Sequence, residues 1–307
     1  MVVEDFIGQG YPKSLVLDIC EVPRSTYYHK PKAAGLKRGR PVSGFTYKTN
    51  GGQVRNEIVV DDIEWILGEE FVDYGYLKTT HWLRQEKGYC INPKKVYRLM
   101  WENGLLNKFK PRKKTKRNWV KDLLPPTEEP FDYLEFDIKY LYVAGKNRNA
   151  MLLTVIDVKT RWVPGHYIGW SIKKQDVLNL FDQIFEQYPL PKSIYVRNDN
   201  GSQFVAEEVQ KYFADKEGVT QEFCKPATPE QNAHIESYHS ILERTVCQKY
   251  EFKTLKETAN TLNRFIKFYN FERIHSGVGY KSPYKYLKSL NIDMKLYSLT
   301  NPLNCRK

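Results

Sequence analysis

Cysteine, histidine and long apolar runs are scarce in this sequence. Its 307 residues hold six histidines and five cysteines (Cys20, Cys90, Cys224, Cys247 and Cys305), an odd number with no Cys-x-x-Cys spacing. A disulfide framework and a cysteine zinc site are therefore not expected, and the thiols suit a reducing cytoplasm. The longest apolar run, Ala150–Ile156, is interrupted by Thr154, whereas a membrane span needs about 20 apolar residues. Met1–Gly10 carries Glu4 and Asp5 and lacks the apolar stretch of a secretory signal. No membrane partner is expected. Apolar and aromatic side chains, 41% and 14% of the chain, are plentiful enough for a large core and too plentiful for a disordered chain.

Positive charge is the other surplus: 48 Lys and Arg stand against 36 Asp and Glu, a net +12. Residues 1–125 carry 23 basic and 14 acidic side chains, and residues 126–307 carry 25 and 22. The densest block runs through Lys108, Lys110, Arg112, Lys113, Lys114, Lys116, Arg117 and Lys121 without one acid. Like charges this close repel, which suits an extended linker. Phosphate is their natural counter-charge, because each neutralised phosphate releases counterions. A nucleic acid fits this block; a solvated solubility tail is the alternative.

Turn, composition and period signals divide the chain into a helical segment and linker (1–56), a helix-turn-helix region (57–107), a basic then Pro-rich linker (108–130), a larger α/β region (131–290) and a tail (291–307). Residues 14–29 read as two short helical stretches around a turn at Val22-Pro23, and 30–56 as linker. In 57–107 three helices are expected. The first has an apolar face of Ile58, Ile63, Ile66 and Leu67, and the second covers about 77–86. The third has Asn92 as N-cap, Pro93 at its first position and Val96, Leu99 and Met100 as its apolar stripe, with Gly104 past its end. As a DNA-reading helix it would present Lys94, Lys95 and Arg98; an ordinary small helical bundle has the same pattern.

From residue 131 the period changes. Tyr133–Val143, Ala150–Val158 and Trp162–Ile168 read as strands, followed by a helix (174–187), a strand (193–197), a helix (204–216), a strand (220–224) and two long helices (229–249 and 255–271). This order predicts an α/β fold with a mixed five-stranded sheet, antiparallel in its first half and parallel in its second, flanked by helices.

Three acids occupy unusual places. Asp137 interrupts an apolar and aromatic strand, where Asp is disfavoured. Asp199 ends a strand, where ligand-binding groups gather in α/β sheets. Glu236 lies on a helix whose start is marked by Thr228, Pro229 and Gln231, in a polar stripe with Asn232, His239 and Glu243 beside the apolar stripe Ile235, Tyr238, Leu242 and Val246. Two Asp and one Glu at a sheet edge make an all-oxygen site for Mg²⁺ or Mn²⁺, and two such ions can clamp a phosphoryl displacement. Taken singly, each acid also reads as a salt-bridge partner, a turn residue or a solvated helix face.

At these residues the sequence resembles the integrase-core transposases of bacterial insertion sequences, in particular the second-reading-frame product of the copy-out–paste-in family. YLEFDIKYL (133–141), VRNDNGSQF (196–204) and KPATPEQNAHIESYHSILER (225–244) resemble its first-Asp, second-Asp and Glu segments. YNFERIHSGVGYKSPYKYL (269–287) resembles its closing signature, 73–105 resembles the helix-turn-helix ahead of the core, and VPRSTYYH (22–29) resembles a still earlier helical segment. The resemblance implies a ribonuclease H-like core with Asp137, Asp199 and Glu236 as catalytic metal ligands and DNA strand transfer by 3′-hydroxyl attack. It implies binding to element-end inverted repeats and target DNA, a homo-oligomer on DNA, and a bacterial, nucleoid-associated cytoplasmic location. Fusion with an upstream-frame helix-turn-helix product is also implied; the shortness of 14–29 favours it. Two departures stand out: 36 residues separate Asp199 from Glu236 where the family has 35, and the basic residue expected seven after the Glu is Glu243, with Arg244 at the eighth place. Asn232, His239 and Arg244 are further candidates for DNA contact. Trp170 and Tyr238 could stack on a base or serve the core, and Arg273 and His275 could meet DNA or tie the last helix down. A nuclease that cuts without joining and a DNA-binding protein with a dead site are the rival readings.

Overall fold

The computed structural model describes residues 2–29, 42–107, 127–188, 190–225 and 229–292. The chain forms two compact units divided after Ser43. In the first, helices α1 (Val2–Gly8), α2 (Lys13–Ile19) and α3 (Arg24–Tyr27) bury Val16 and Leu17. No helix among the described residues is long and apolar enough to cross a membrane.

The second unit begins with a feature the sequence pattern did not reveal. Residues 45–55, expected as linker, form a hairpin of β1 (Phe45–Lys48) and β2 (Gln53–Arg55). Gly51 closes its turn at φ +84°, a conformation glycine adopts without strain. Helices α4 (Asn56–Gly68), α5 (Tyr76–Glu86) and α6 (Pro93–Glu102) follow, and β3 (Tyr89–Cys90) adds to β1, giving a small sheet in the order β2-β1-β3. The helix-turn-helix region is thus not all-α. On α4 the buried stripe is Val59, Ile63 and Ile66; Ile58 is exposed, because spacings of four and three, not five, share a helix face. On α6 the Asn92 side chain accepts from the Lys94 N–H at 2.8 Å, Pro93 is the first helical residue, and Val96, Leu99 and Met100 are buried.

The larger sheet has the order β6-β5-β4-β7-β8: β4 (Tyr133–Val143), β5 (Arg148–Asp157), β6 (Gly165–Gly169), β7 (Ile194–Asn198) and β8 (Val219–Phe223). β4 pairs antiparallel with β5 and parallel with β7, so the sheet is mixed as the element order predicts. Alternation splits its side chains between two cores. Phe136, Leu153, Val155 and Val196 pack toward α7 (Lys174–Gln187) and α8 (Glu207–Ala214). Leu141, Leu152 and Ile156 pack toward α9 (Ala233–Leu242) and α10 (Leu255–Phe271), against Ile235, Tyr238, Leu262 and Phe265. With a period of two, Glu135, Asp137 and Lys139 fall on the α9 side of β4. Helix α11 (Pro283–Ser289), capped by Ser282, follows α10.

Candidate active site

The site is built on one cross-strand pair. Glu135 of β4 lies opposite Arg197 of β7 in the parallel register. Both are buried, and both reach the segment that carries Glu236. The Glu135 carboxylate accepts from the backbone N–H groups of His234 and Ile235 at 2.9 Å each, and pairs with His234 Nδ1 at 2.8 Å. Arg197 donates to the Gln231 carbonyl at 3.1 Å and holds Glu222 at 2.7 Å. An acid at a helix N-terminus satisfies orphan N–H groups and complements the helix dipole. Here the acid comes from a strand about a hundred residues upstream and fixes where α9 begins.

Asp137 stands two residues beyond Glu135, on the same face of β4, and Asp199 stands two residues beyond Arg197, one past the end of β7. Asp137 is partly buried, and its Oδ1 accepts the Ile138 N–H at 2.7 Å. Burial pushes its carboxyl up to about 7, the Ile138 bond lowers it, and the charges of Asp199 and Glu236 raise it further. The three acids therefore share one electrostatic environment. Asp199 is exposed, its Oδ1 accepting the Gly201 N–H at 2.9 Å, and Glu236 is exposed on α9. Among the described residues no three His, Cys, Asp or Glu side chains converge closely enough to hold one ion. The donor set, all oxygen and mutually repulsive, nonetheless matches the chemistry of a divalent cation.

The α-helix starts at Ala233, later than the expected start at Pro229. Pro229–Asn232 is a 3₁₀ turn, and the Gln231 side chain accepts from the Lys225 N–H at 2.7 Å. Thr228, with the rest of 226–228, lies outside the described residues. Past α9 the helix widens into a π turn, Glu243–Cys247, with the Gln248 N–H donating to the Glu243 carbonyl at 3.0 Å. Such a turn inserts one residue into the helix and often marks functional segments. Glu243 binds Lys139 at 2.7 Å, placing a cation two residues from Asp137 on the same strand. Arg244 turns instead to Asp73, at 3.1 Å.

The other sequence candidates fall in varied places. His239, with its side chain 12% exposed, has Nδ1 3.5 Å from Asp137 Oδ2. Burial and then the Lys139 charge push it down to about 3, so it stays neutral. Asn232 is buried, its Oδ1 without a partner among the described residues. Tyr238 is fully buried in the core, and Trp170 packs at its margin with Arg148 over its ring. Arg273, 1% exposed, pairs with Asp73 at 2.5 Å, so the segment after α10 is tied to the one between α4 and α5. His275 is also buried. Lys94 is exposed, Arg98 is half-buried and 3.9 Å from Glu102, and Lys95 donates to the Phe45 carbonyl at 2.5 Å. Lys108, Lys110, Arg112, Lys113, Lys114, Lys116 and Arg117 lie outside the described residues. Sequence reasoning missed Glu135, Arg197, Lys139 and Asp73. The spacing Glu135-x-Asp137-x-Lys139 in an apolar strand was the available signal for the first and third.

Residues 127–229 and 217–283 each match the family model of an integrase core domain, and residues 55–114 match that of an HTH-like domain. The chain belongs to the integrase-core superfamily of insertion-sequence transposases. It is similar to the transposase for insertion sequence element IS904 of Lactococcus lactis, with 26% identity over 247 residues that span 75% of this chain and 94% of that protein. It is also similar to InsK of insertion sequence element IS150 of Escherichia coli, with 25% identity over 298 residues, 93% of this chain and 97% of that one. Among solved structures, the simian T-cell lymphotropic virus intasome aligns with a TM-score of 0.44 at 13% identity, covering 76% of this chain and 75% of its own. The HTLV-2 integrase catalytic core domain in complex with magnesium aligns with a TM-score of 0.38 at 15% identity, covering 51% and 96%.

Proposed function

We propose that this chain is a transposase that cuts DNA at insertion-sequence ends and joins the freed 3′-hydroxyl to a phosphodiester of target DNA. In this reading Asp137, Asp199 and Glu236 hold Mg²⁺ or Mn²⁺, two ions per site. The observation that supports it is the placement of Asp137 on β4, of Asp199 just past the end of β7 and of Glu236 on α9, the helix that Glu135 and Arg197 anchor to these two neighbouring strands.

When bound, the divalent cation neutralises phosphate charge and makes water or a 3′-hydroxyl a better nucleophile. The chain's own residues prepare for this. As a ligand Asp137 would have to be ionised, and a bound cation would favour that form against the burial that raises its carboxyl. Glu135 and Arg197 set where α9 begins, and thereby the separation of Glu236 from Asp137. His239 packs behind Asp137 as a neutral group and adds no competing positive charge. Glu243 holds the Lys139 ammonium beside the acids, where it can meet an incoming phosphate. The exposed face of α6, with Lys94 and Arg98, and the basic 108–117 stretch bind DNA in this scheme. Asn232 is too buried to reach DNA without a rearrangement, and Arg244 is engaged by Asp73. The protein acts as a homo-oligomer on DNA, alone or fused to an upstream-frame helix-turn-helix product.

The test is a strand-transfer assay with Mg²⁺ or Mn²⁺ on pre-cleaved duplexes made from the inverted repeats that flank the reading frame. Joined products that vanish with Glu236→Gln support the reading. Cutting without joining would favour a nuclease. Full joining by both Asp137→Asn and Glu236→Gln would show that the acids are wrongly assigned.

A further inference from the structure

We propose that the β1–β2 hairpin is a second DNA-binding element, a wing that grips duplex DNA beside α6. The proposal rests on the reading of this chain as a DNA-acting transposase. The match to the HTH-like domain begins at residue 55, the last residue of the hairpin. It is firmly held. Tyr47 and Lys48 pair with Cys90 and Tyr89 of β3, and the Thr49 N–H donates to the Gly88 carbonyl at 2.8 Å. Lys95, in the first turn of α6, donates to the Phe45 carbonyl at the hairpin's base. β3 leads within two residues to Asn92, the cap of α6. Ribbon and helix are thereby anchored to each other, and both are elements that a DNA groove admits.

The outward side of the hairpin has no role in the core. Alternation turns Thr46 inward and Phe45 and Tyr47 outward, the latter 54% exposed. Their cross-strand partners, Arg55 and Gln53, are exposed as well, and Gln53 Nε2 donates to the Tyr47 hydroxyl at 2.9 Å. Residues 42–56 contain Lys48 and Arg55 and no acid. The tip, Asn50-Gly51-Gly52, carries one side chain on three residues, which keeps it narrow. The exposed face of α6 has the same chemistry. Lys94, Tyr97 and Trp101 follow at one-turn spacings, with Trp101 67% exposed. Three acids of this region, Glu57, Asp61 and Glu64, are exposed on α4, and Glu102 at the end of α6 lies 3.9 Å from Arg98. Exposed aromatics alone would fit a protein partner too. Interleaved with cations and, on the hairpin, free of acids, they fit a phosphate backbone with bases behind it.

The test uses the full chain and a fluorescein-labelled duplex that the wild-type chain selects from a pool of random duplexes. The triple variant Tyr47→Ala, Gln53→Ala, Arg55→Ala removes three exposed groups and leaves in place Thr46 and Lys48, whose ammonium lies over the Tyr89 ring. We expect about tenfold weaker binding, and a log-affinity against log-salt slope smaller by about one, since Arg55 is the cation removed and each neutralised phosphate contributes about 0.9. Lys94→Ala with Arg98→Ala on α6 is the parallel arm. If the hairpin variant binds and footprints like wild type while the α6 variant does not, the wing is refuted and the DNA-binding reading stands. If neither variant changes binding, both the wing and the DNA-contact assignment of α6 fall. Should the triple variant melt early, a photocrosslinking benzoylphenylalanine decides. It should crosslink DNA from position 47 and not from position 58 on α4; equal yields, or none from 47, overturn the proposal.

Discussion

Replacing Glu135 by alanine tests whether β4 anchors the helix that carries Glu236. Glu135 is 1% exposed, and α9 offers its carboxylate two backbone N–H groups at 2.9 Å each and the His234 ring nitrogen at 2.8 Å. Alanine leaves those N–H groups without an acceptor at the first turn and opens a void beneath them. A hydrogen bond to a charged group contributes about 1.5–3 kcal/mol, and a buried donor left unpaired costs about 1–3 kcal/mol. These are two descriptions of the same contacts, so the expected loss is about 3–5 kcal/mol, a large part of the stability of a typical domain. At about 2–4 °C per kcal/mol, the melting temperature should fall by about 6–20 °C in a circular dichroism melt. Glutamine keeps one acceptor oxygen without the charge and should lose roughly half as much. At a temperature where the alanine variant is still folded, strand transfer should fall further than the folded fraction does, because the start of the helix that carries Glu236 is no longer anchored to β4. A melt within about 2 °C of wild type, less than a kilocalorie's worth, together with wild-type joining would refute the anchoring role.

Asp137 supplies a pH prediction. Its carboxyl is pushed up to about 7 in the metal-free fold, first by burial and then by Asp199 and Glu236, against about 3.9 in an unfolded chain. The folded state therefore keeps this proton longer than the unfolded state. The group's contribution is complete below about pH 4 and is lost as pH rises through about 7. Asp137→Asn removes the titration, so in EDTA its stability relative to wild type should grow by about 2–3 kcal/mol between pH 5 and pH 8; urea unfolding that gives a flat difference refutes this. Asp73 should behave as a buried ion-pair anchor. Removing it by Asp73→Ala strands the 1%-exposed Arg273 without its partner, at a cost of about 3–5 kcal/mol; a loss below about 1 kcal/mol in urea unfolding would mean that the pair contributes no more than a surface ion pair.

The elements legible in the sequence were those whose signals are local. The Asn92-Pro93 start and the Val96, Leu99, Met100 stripe announced α6, and both survive in the structure. Strand β4 was visible from its aromatic alternation, and its bounds, like those of α10, coincide with the expected ones. The hairpin escaped because its strands are four and three residues long and turn two aromatics to solvent, which reads as an absence of period. Ile58 was misplaced because it sits next to Val59, the residue that holds the helical spacing. Within the candidate site, the three acids were legible as anomalies: an Asp in an apolar strand, an Asp at a strand end and a Glu beside a buried stripe. What arranges them was not. The Glu135–His234 contact spans 99 residues and the Arg244–Asp73 contact 171, distances over which no sequence period operates. The π turn was hidden likewise, since Glu243–Cys247 has the composition of an ordinary helix and only its hydrogen bonding differs.

The central claim is that Asp137, Asp199 and Glu236 act together on a divalent cation. Titration of the purified chain with Mn²⁺, followed by electron paramagnetic resonance of the free ion, tests it without any DNA. Asp137→Asn, Asp199→Asn and Glu236→Gln should each weaken Mn²⁺ binding by about tenfold or more, a loss of at least about 1.4 kcal/mol, while melting curves stay at or above that of wild type. Wild-type Mn²⁺ affinity in all three variants would contradict the account.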